Sequence, residues 1–84
     1  MNILEEVKVR LGVTGYYHDE ALTGFIEDVK FYLKSTGISE ETINSDKAVG
    51  CIARGVADLW NMGAGQGVWS KVFYERAIQL ALEK

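Results

Sequence analysis

Apolar and polar positions recur along this chain with the 3.6-residue period of helices, and strand-like alternation is hard to find. The clearest run lies between Asp19 and Ser35. There Leu22, Phe25, Ile26, Val29, Tyr32 and Leu33 make one continuous helical face. Asp19 is placed to cap the N-terminus of this helix, and Gly37 follows its end where left-handed backbone is common. Ahead of it, residues 2–11 predict a short helix. Leu4, Val7 and Leu11 share its face, Val9 lies off that face, and Gly12 ends it. Residues 12–18 form a connecting loop. After Gly37, Ser39-Glu40-Glu41-Thr42 reads as a capped single turn, its acids suited to the positive end of the helix dipole.

A third long helix is predicted from about Ser45 to Asn61, with Val49, Ile52, Val56, Leu59 and Trp60 as its main face. Its polar stripe is narrow (Lys47, Arg54, Asp58, Asn61), so it is expected to be covered on several sides. Gly50 and Gly55 inside it cost about 1 kcal/mol each relative to alanine. The expected return is close approach of a neighbouring backbone. Residues 59–70 carry no charge, and Gly63-Ala64-Gly65-Gln66-Gly67 within them reads as a turning or flexible link. A last helix follows over about Val68 to Leu82, with Glu75, Arg76, Gln79 and Glu83 on its polar side. The predicted fold is all-α. It is a single helical domain over 1–84, a small bundle of about four helices with a short first helix and a Gly-rich link before the last one. No internal repeat is present.

Composition narrows the function classes. The 84 residues carry nine Lys+Arg against twelve Asp+Glu, a net charge of −3, and 48% hydrophobic residues, which suits a small globular domain rather than a disordered one. The acidic balance speaks against a dedicated nucleic-acid binder. A single cysteine, Cys51, allows no internal disulfide. The opening Met1–Glu6 lacks the basic-then-apolar layout of a signal peptide, and no apolar stretch approaches the ~20 residues of a membrane span. An intracellular domain without membrane contact is expected.

The chemistry-bearing motifs are weak. The Gly-rich stretch has no glycine followed by lysine, as a P-loop requires, and Gly63-x-Gly65 meets Val68 where the dinucleotide fingerprint needs a third glycine. One His and one Cys cannot build a four-ligand zinc site. A Cys51–His18 nucleophilic pair is weighed against a small buried thiol and a loop histidine, and the latter is favoured because Cys51 has no cationic neighbour in sequence. Adjacent acids point ~100° apart on a helix and make no catalytic dyad. Glu27 with Lys30 or Lys34, and Arg54 with Asp58, read as ordinary helix-surface pairs. No enzyme, cofactor, metal or small-molecule substrate is expected.

The aromatic residues say more. Phe31 lies opposite the Leu22 face of its own helix, on the side of Gly24, Glu27 and Asp28. Tyr16 and Tyr17 sit in a loop, and Trp69, Phe73 and Tyr74 cluster after the Gly-rich link. Either Trp69 and Phe73 cover the end of the bundle, or these rings form a self-association surface, since exposed aromatic patches mark interfaces. Phe31, Trp69, Phe73, Tyr74, Tyr16 and Tyr17 are therefore the candidate subunit contacts.

Residues 3–62 resemble the tailed-phage head–tail connector proteins. The likeness rests on the opening helix Leu4-Glu5-Glu6-Val7-Lys8-Val9-Arg10-Leu11-Gly12-Val13 and on the pattern from Asp19 through Leu22, Phe25-Ile26, Val29 and Tyr32-Leu33. A third element, Ala48-Val49 through Val56-Ala57-Asp58-Leu59-Trp60-Asn61, completes it. The chain departs from many members in following this helix with only a short Gly-rich link and one more helix. The resemblance implies a structural protein of the virion, assembled in the host cytoplasm and placed at the head–tail junction. It would form a homo-oligomeric ring around the DNA passage, with the portal and tail-side connector proteins as partners. Glu27, Asp28, Glu40 and Glu41 are candidates for an acidic lumen along which DNA slides without sticking. The competing reading is a small helical regulatory or protein-interaction domain, in one form dimeric and in a less favoured form DNA-binding. It would dock through its last helix. Lys8, Arg10, Lys30 and Lys34 offer only a scattered basic set for DNA.

Overall fold

Helical spacing with glycine and serine punctuation builds an all-helical chain, described in a computed structural model over residues 2–62 and 69–82. Helix α1 spans Ile3–Leu11, α2 Asp19–Ser35, α3 Glu40–Ile43, α4 Val49–Met62 and α5 Lys71–Leu82. A 3₁₀ turn over Asp46–Ala48 leads into α4, so the third long helix begins later than its apolar pattern suggests. The Gly63–Gly67 link and Val68 lie outside the described residues.

Caps set the boundaries. Asn2 accepts from the Glu5 N–H and starts α1, and Gly12 ends it in left-handed backbone at φ 73°. Gly37 (φ 95°) follows α2 in the same role. Ser39 caps α3 by accepting from the Thr42 N–H at 3.2 Å. The N-cap of α2 is His18, with no side-chain cap bond, so Asp19 is not the cap that the sequence suggests. Its carboxylate is drawn instead to Lys8.

Helix α4 is the hub, packed by α1, α2 and α5. Leu22, Ile26, Val29 and Leu33 of α2 are buried against it, with Phe25 and Tyr32 half-buried beside them. Val7 of α1, Ile38, Ile43 of α3, and Cys51, Ile52, Ala53 and Val56 of α4 complete this core. Phe73, Ala77 and Leu80 close it from α5. The two α4 glycines make room for side chains rather than for a backbone. A Cβ on Gly55 would stand 2.7 Å from Phe73 Cε1 and 2.8 Å from Val29 Cγ2, so α2 and α5 converge on that hydrogen. A Cβ on Gly50 would stand 3.2 Å from Arg76 Nη1. No described helix is long and apolar enough to cross a membrane.

Candidate interaction surface

Three of the rings expected at an interface stand fully in solvent. Phe31 is 76% exposed on α2, Tyr16 is 84% exposed and Tyr17 91% exposed in the loop before it. Tyr74 on α5 is exposed to a lesser degree. Two candidates turn inward. Phe73 is wholly buried and stacks on the half-buried Trp69 with ring centroids 4.6 Å apart. Tyr32 of α2 leans on both rings. Phe73 is thus a core residue and not a subunit contact: it fills the hole left by Gly55. Trp69 covers that end of the bundle.

The exposed Phe31 is not isolated. Glu27, Asp28, Lys30, Lys34, Glu40, Ile43 and Asn44 surround it in an open groove of about 540 Å³ between α2 and α3. Lys34 pairs with Glu40 at 3.7 Å, and Lys30 donates to Asn44 Oδ1 at 3.4 Å. The expected pairing of these lysines with Glu27 is not formed; α3 folds back within their reach and supplies closer partners. Among the described residues, Glu27 and Asp28 have no cation within ion-pair distance. Phe31 thus shares its face with Glu27 and Asp28, as their spacing on one helix predicts, and the fold adds Glu40 from α3 to it. Glu41 lies elsewhere, in a groove with Gly37, Thr42, Leu80 and Ala81.

Loop 12–18 owes its shape to a residue that the sequence pattern leaves unremarked. Lys8 lies one position beyond Val7 on α1 and is buried. Its ammonium donates to Asp19 Oδ1 at 2.7 Å and to the Gly15 carbonyl, and Tyr16 covers it at 5.2 Å from ring centroid to Nζ. The hydrogen bond to Asp19 outweighs burial and holds the ammonium above its ordinary value. Helix α1, the loop and the start of α2 are thereby clamped together, which fixes the stem from which Tyr16 and Tyr17 project. His18 sits edge-on between Tyr17 (4.8 Å) and Trp60 (4.9 Å).

Cys51 is buried in α4, and burial pushes its thiol up to about 11, against a smaller opposing pull from Arg76. Such a thiol stays protonated at neutral pH and is a poor nucleophile. Asp58 is likewise buried, not part of a solvated surface pair. Its Oδ2 accepts the Ser70 N–H at 3.0 Å, and its Oδ1 lies 3.4 Å from Arg54 Nη2. Ser70 in turn accepts from the Phe73 N–H at 3.1 Å and caps α5.

A second charged feature was hidden by sequence distance. All three arginines of the chain, Arg10 of α1, Arg54 of α4 and Arg76 of α5, line one shallow groove of about 210 Å³. Its floor is Leu11, Gly50, Ala53 and Ala57. Among the described residues, Arg10 and Arg76 have no acidic partner within 4.0 Å. The third exposed feature is an apolar stripe on α5. Tyr74, Ile78 and Leu82 recur at four-residue intervals and border a groove of about 400 Å³ with Tyr32 and Thr36 of α2. Of the apolar residues on the last helix, Phe73, Ala77 and Leu80 are buried, while Val72, Ile78, Ala81 and Leu82 all face solvent.

Comparison with protein families, with characterised proteins and with solved structures finds no match to this chain.

Proposed function

We propose that the chain is a structural subunit of a tailed-phage head–tail connector, which assembles as a ring of identical copies between portal and tail around the DNA passage. The observation that carries this reading is Phe31. A phenyl ring held 76% exposed on the outer face of a helix whose inner face is already buried lies outside the core of the single chain. Such a residue on a rigid scaffold suits a contact between copies. The resemblance of residues 3–62 to the connector family supplies the assembly in which that contact belongs. Because Glu27 and Asp28 flank Phe31, they fit the border of the subunit contact better than the lumen. Glu41, set apart from that face, remains the acid proposed to line the passage.

The test is absolute mass by light scattering across a concentration series, with Phe31→Ser as the comparison. The expected result is a discrete, closed, high-order species for the native chain. Phe31→Ser is expected to keep its helical content and lose assembly. A native chain that is monomeric at every concentration overturns the ring.

The second reading is a small helical regulatory or protein-interaction module, and the exposed Tyr74–Ile78–Leu82 stripe on α5 favours it. A helix-in-groove contact needs anchors at this spacing. A concentration-independent dimer that is disrupted by Ile78→Ser, and not by Phe31→Ser, would select this module.

A further inference from the structure

Two surfaces of opposite character lie on opposite sides of the molecule. Val29 of α2 packs onto Gly55 of α4. Phe31 lies two residues beyond Val29, about 160° around its helix, and so faces away from α4. On α4, Ala53 and Ala57 lie two residues either side of Gly55, also about 160° around, and so face away from α2. The line Phe31–α2–α4–Ala53/Ala57 therefore crosses the molecule. One end carries Phe31 flanked by Glu27 and Asp28, both free of ion pairs among the described residues, with Lys34 beside them neutralised by Glu40 and Lys30 turned to the Asn44 amide oxygen. Gly24 lies one further turn along this ridge, and space around its Cα is open. The other end is a groove with a floor of small residues and walls of Arg10, Arg54 and Arg76.

We infer that the arginine groove receives the Glu27–Asp28–Phe31 ridge of a second copy of this chain. The inference rests on the ring reading above and specifies its contact. Three features support the fit. The charges complement each other: two acids without partners meet two arginines without partners, with Arg54 held between Asp58 and Ser70 beside them. The chemistry of the groove suits a ring, since guanidinium groups stack on a phenyl face and the half-buried Ala57 leaves the approach to them low. The placement is right for a ring. Two different patches on opposite sides generate a head-to-tail series, which closes when the rotation per subunit divides a full turn; a twofold dimer would need one self-complementary patch. The choice of arginine fits too. Every arginine of the chain lines this groove and, among the described residues, no lysine does, and arginine is the cation that combines planar carboxylate pairing with ring stacking.

The experiment uses two charge-reversed chains and absolute mass. Glu27→Lys/Asp28→Lys carries a basic ridge and keeps its arginine groove. Arg10→Glu/Arg76→Glu carries an acidic groove and keeps its acidic ridge. Each alone sets like charges against each other, and its self-association is expected to weaken by at least about tenfold. Mixed in equal amounts, each ridge meets a groove of opposite sign, and high-order species are expected to return. Circular dichroism establishes that both variants are folded before mixing. If either variant assembles alone as the native chain does, or if the folded pair fails to reassemble on mixing, this contact is wrong while the ring stands. A native chain that never assembles removes the ring itself.

Discussion

The carboxylate of Asp58, buried in α4, accepts the backbone N–H of Ser70 at 3.0 Å and so fixes where α5 begins. The Ser70 hydroxyl then caps α5 through the Phe73 N–H. One carboxylate thus governs whether Phe73 reaches its place against Gly55. Asp58→Ala is expected to lower stability by about 1–3 kcal/mol, because a part-buried donor loses its partner. Asp58→Asn keeps an acceptor and is expected to cost less. Urea denaturation followed by tryptophan fluorescence measures both, and an unchanged midpoint for Asp58→Ala would show that α5 docks without it.

Two glycines in helix interiors should respond in opposite ways to the same substitution. Gly24→Ala meets open space and is expected to raise stability by about 0.5–1 kcal/mol. Gly55→Ala gains the same helical preference but drives a methyl against Phe73 and Val29, an overpacking cost of about 1–3 kcal/mol. Thermal melts of the two variants side by side decide the matter. Equal shifts would mean that the Gly55 site relaxes freely.

The Lys8–Asp19 pair predicts an alkaline weakness. Its folded-state value lies above the ordinary 10.5. The stability it contributes is therefore complete below that ordinary value and is lost as pH rises through the elevated one. Lys8→Met is expected to be less stable than the native chain at about pH 8, with the gap closing as pH climbs past the folded value. Denaturation curves for both chains over that range supply the test, and a gap independent of pH would assign the loss to packing alone.

Cys51 should behave as a buried thiol. With its value near 11, iodoacetamide at about pH 8 is expected to leave it unmodified in the folded chain and to modify it after urea unfolding. Mass spectrometry reads the difference. Rapid alkylation of the folded chain would mean that α4 opens around it.

Much of the fold is legible in the sequence because helical periodicity is a local property. The buried face of α2 follows directly from Leu22, Ile26, Val29 and Leu33, and Gly12 and Gly37 mark helix ends by their backbone conformation. What escapes is set by tertiary proximity. Lys8 reads as surface charge until Asp19 and the Gly15 carbonyl are brought to its ammonium from residues 15–19. The arginine groove is invisible because its walls come from three helices far apart in sequence. Phe73 had a readable signal in its spacing with Ala77 and Leu80. Val72, Ile78 and Leu82 blurred it by making α5 apolar on most sides. Phe31 was the opposite case. Its offset from a complete apolar face was enough to place it outside, although nothing in the sequence could bring Glu40 beside it.

The enclosure of Lys8 also gives the molecule a clock. An amine-acylating reagent needs a neutral, accessible amine, and here the amine is charged and covered by Asp19, Gly15 and Tyr16. Exposed lysines such as Lys34, Lys47 and Lys71 are open to the same reagent at any moment. Acylation of Lys8 is expected to wait on local release of its Gly15, Tyr16 and Asp19 cover, so its rate under native conditions counts those partial openings. Such a release frees the loop carrying Tyr16 and Tyr17, and the lag of Lys8 behind the other amines measures how seldom that happens.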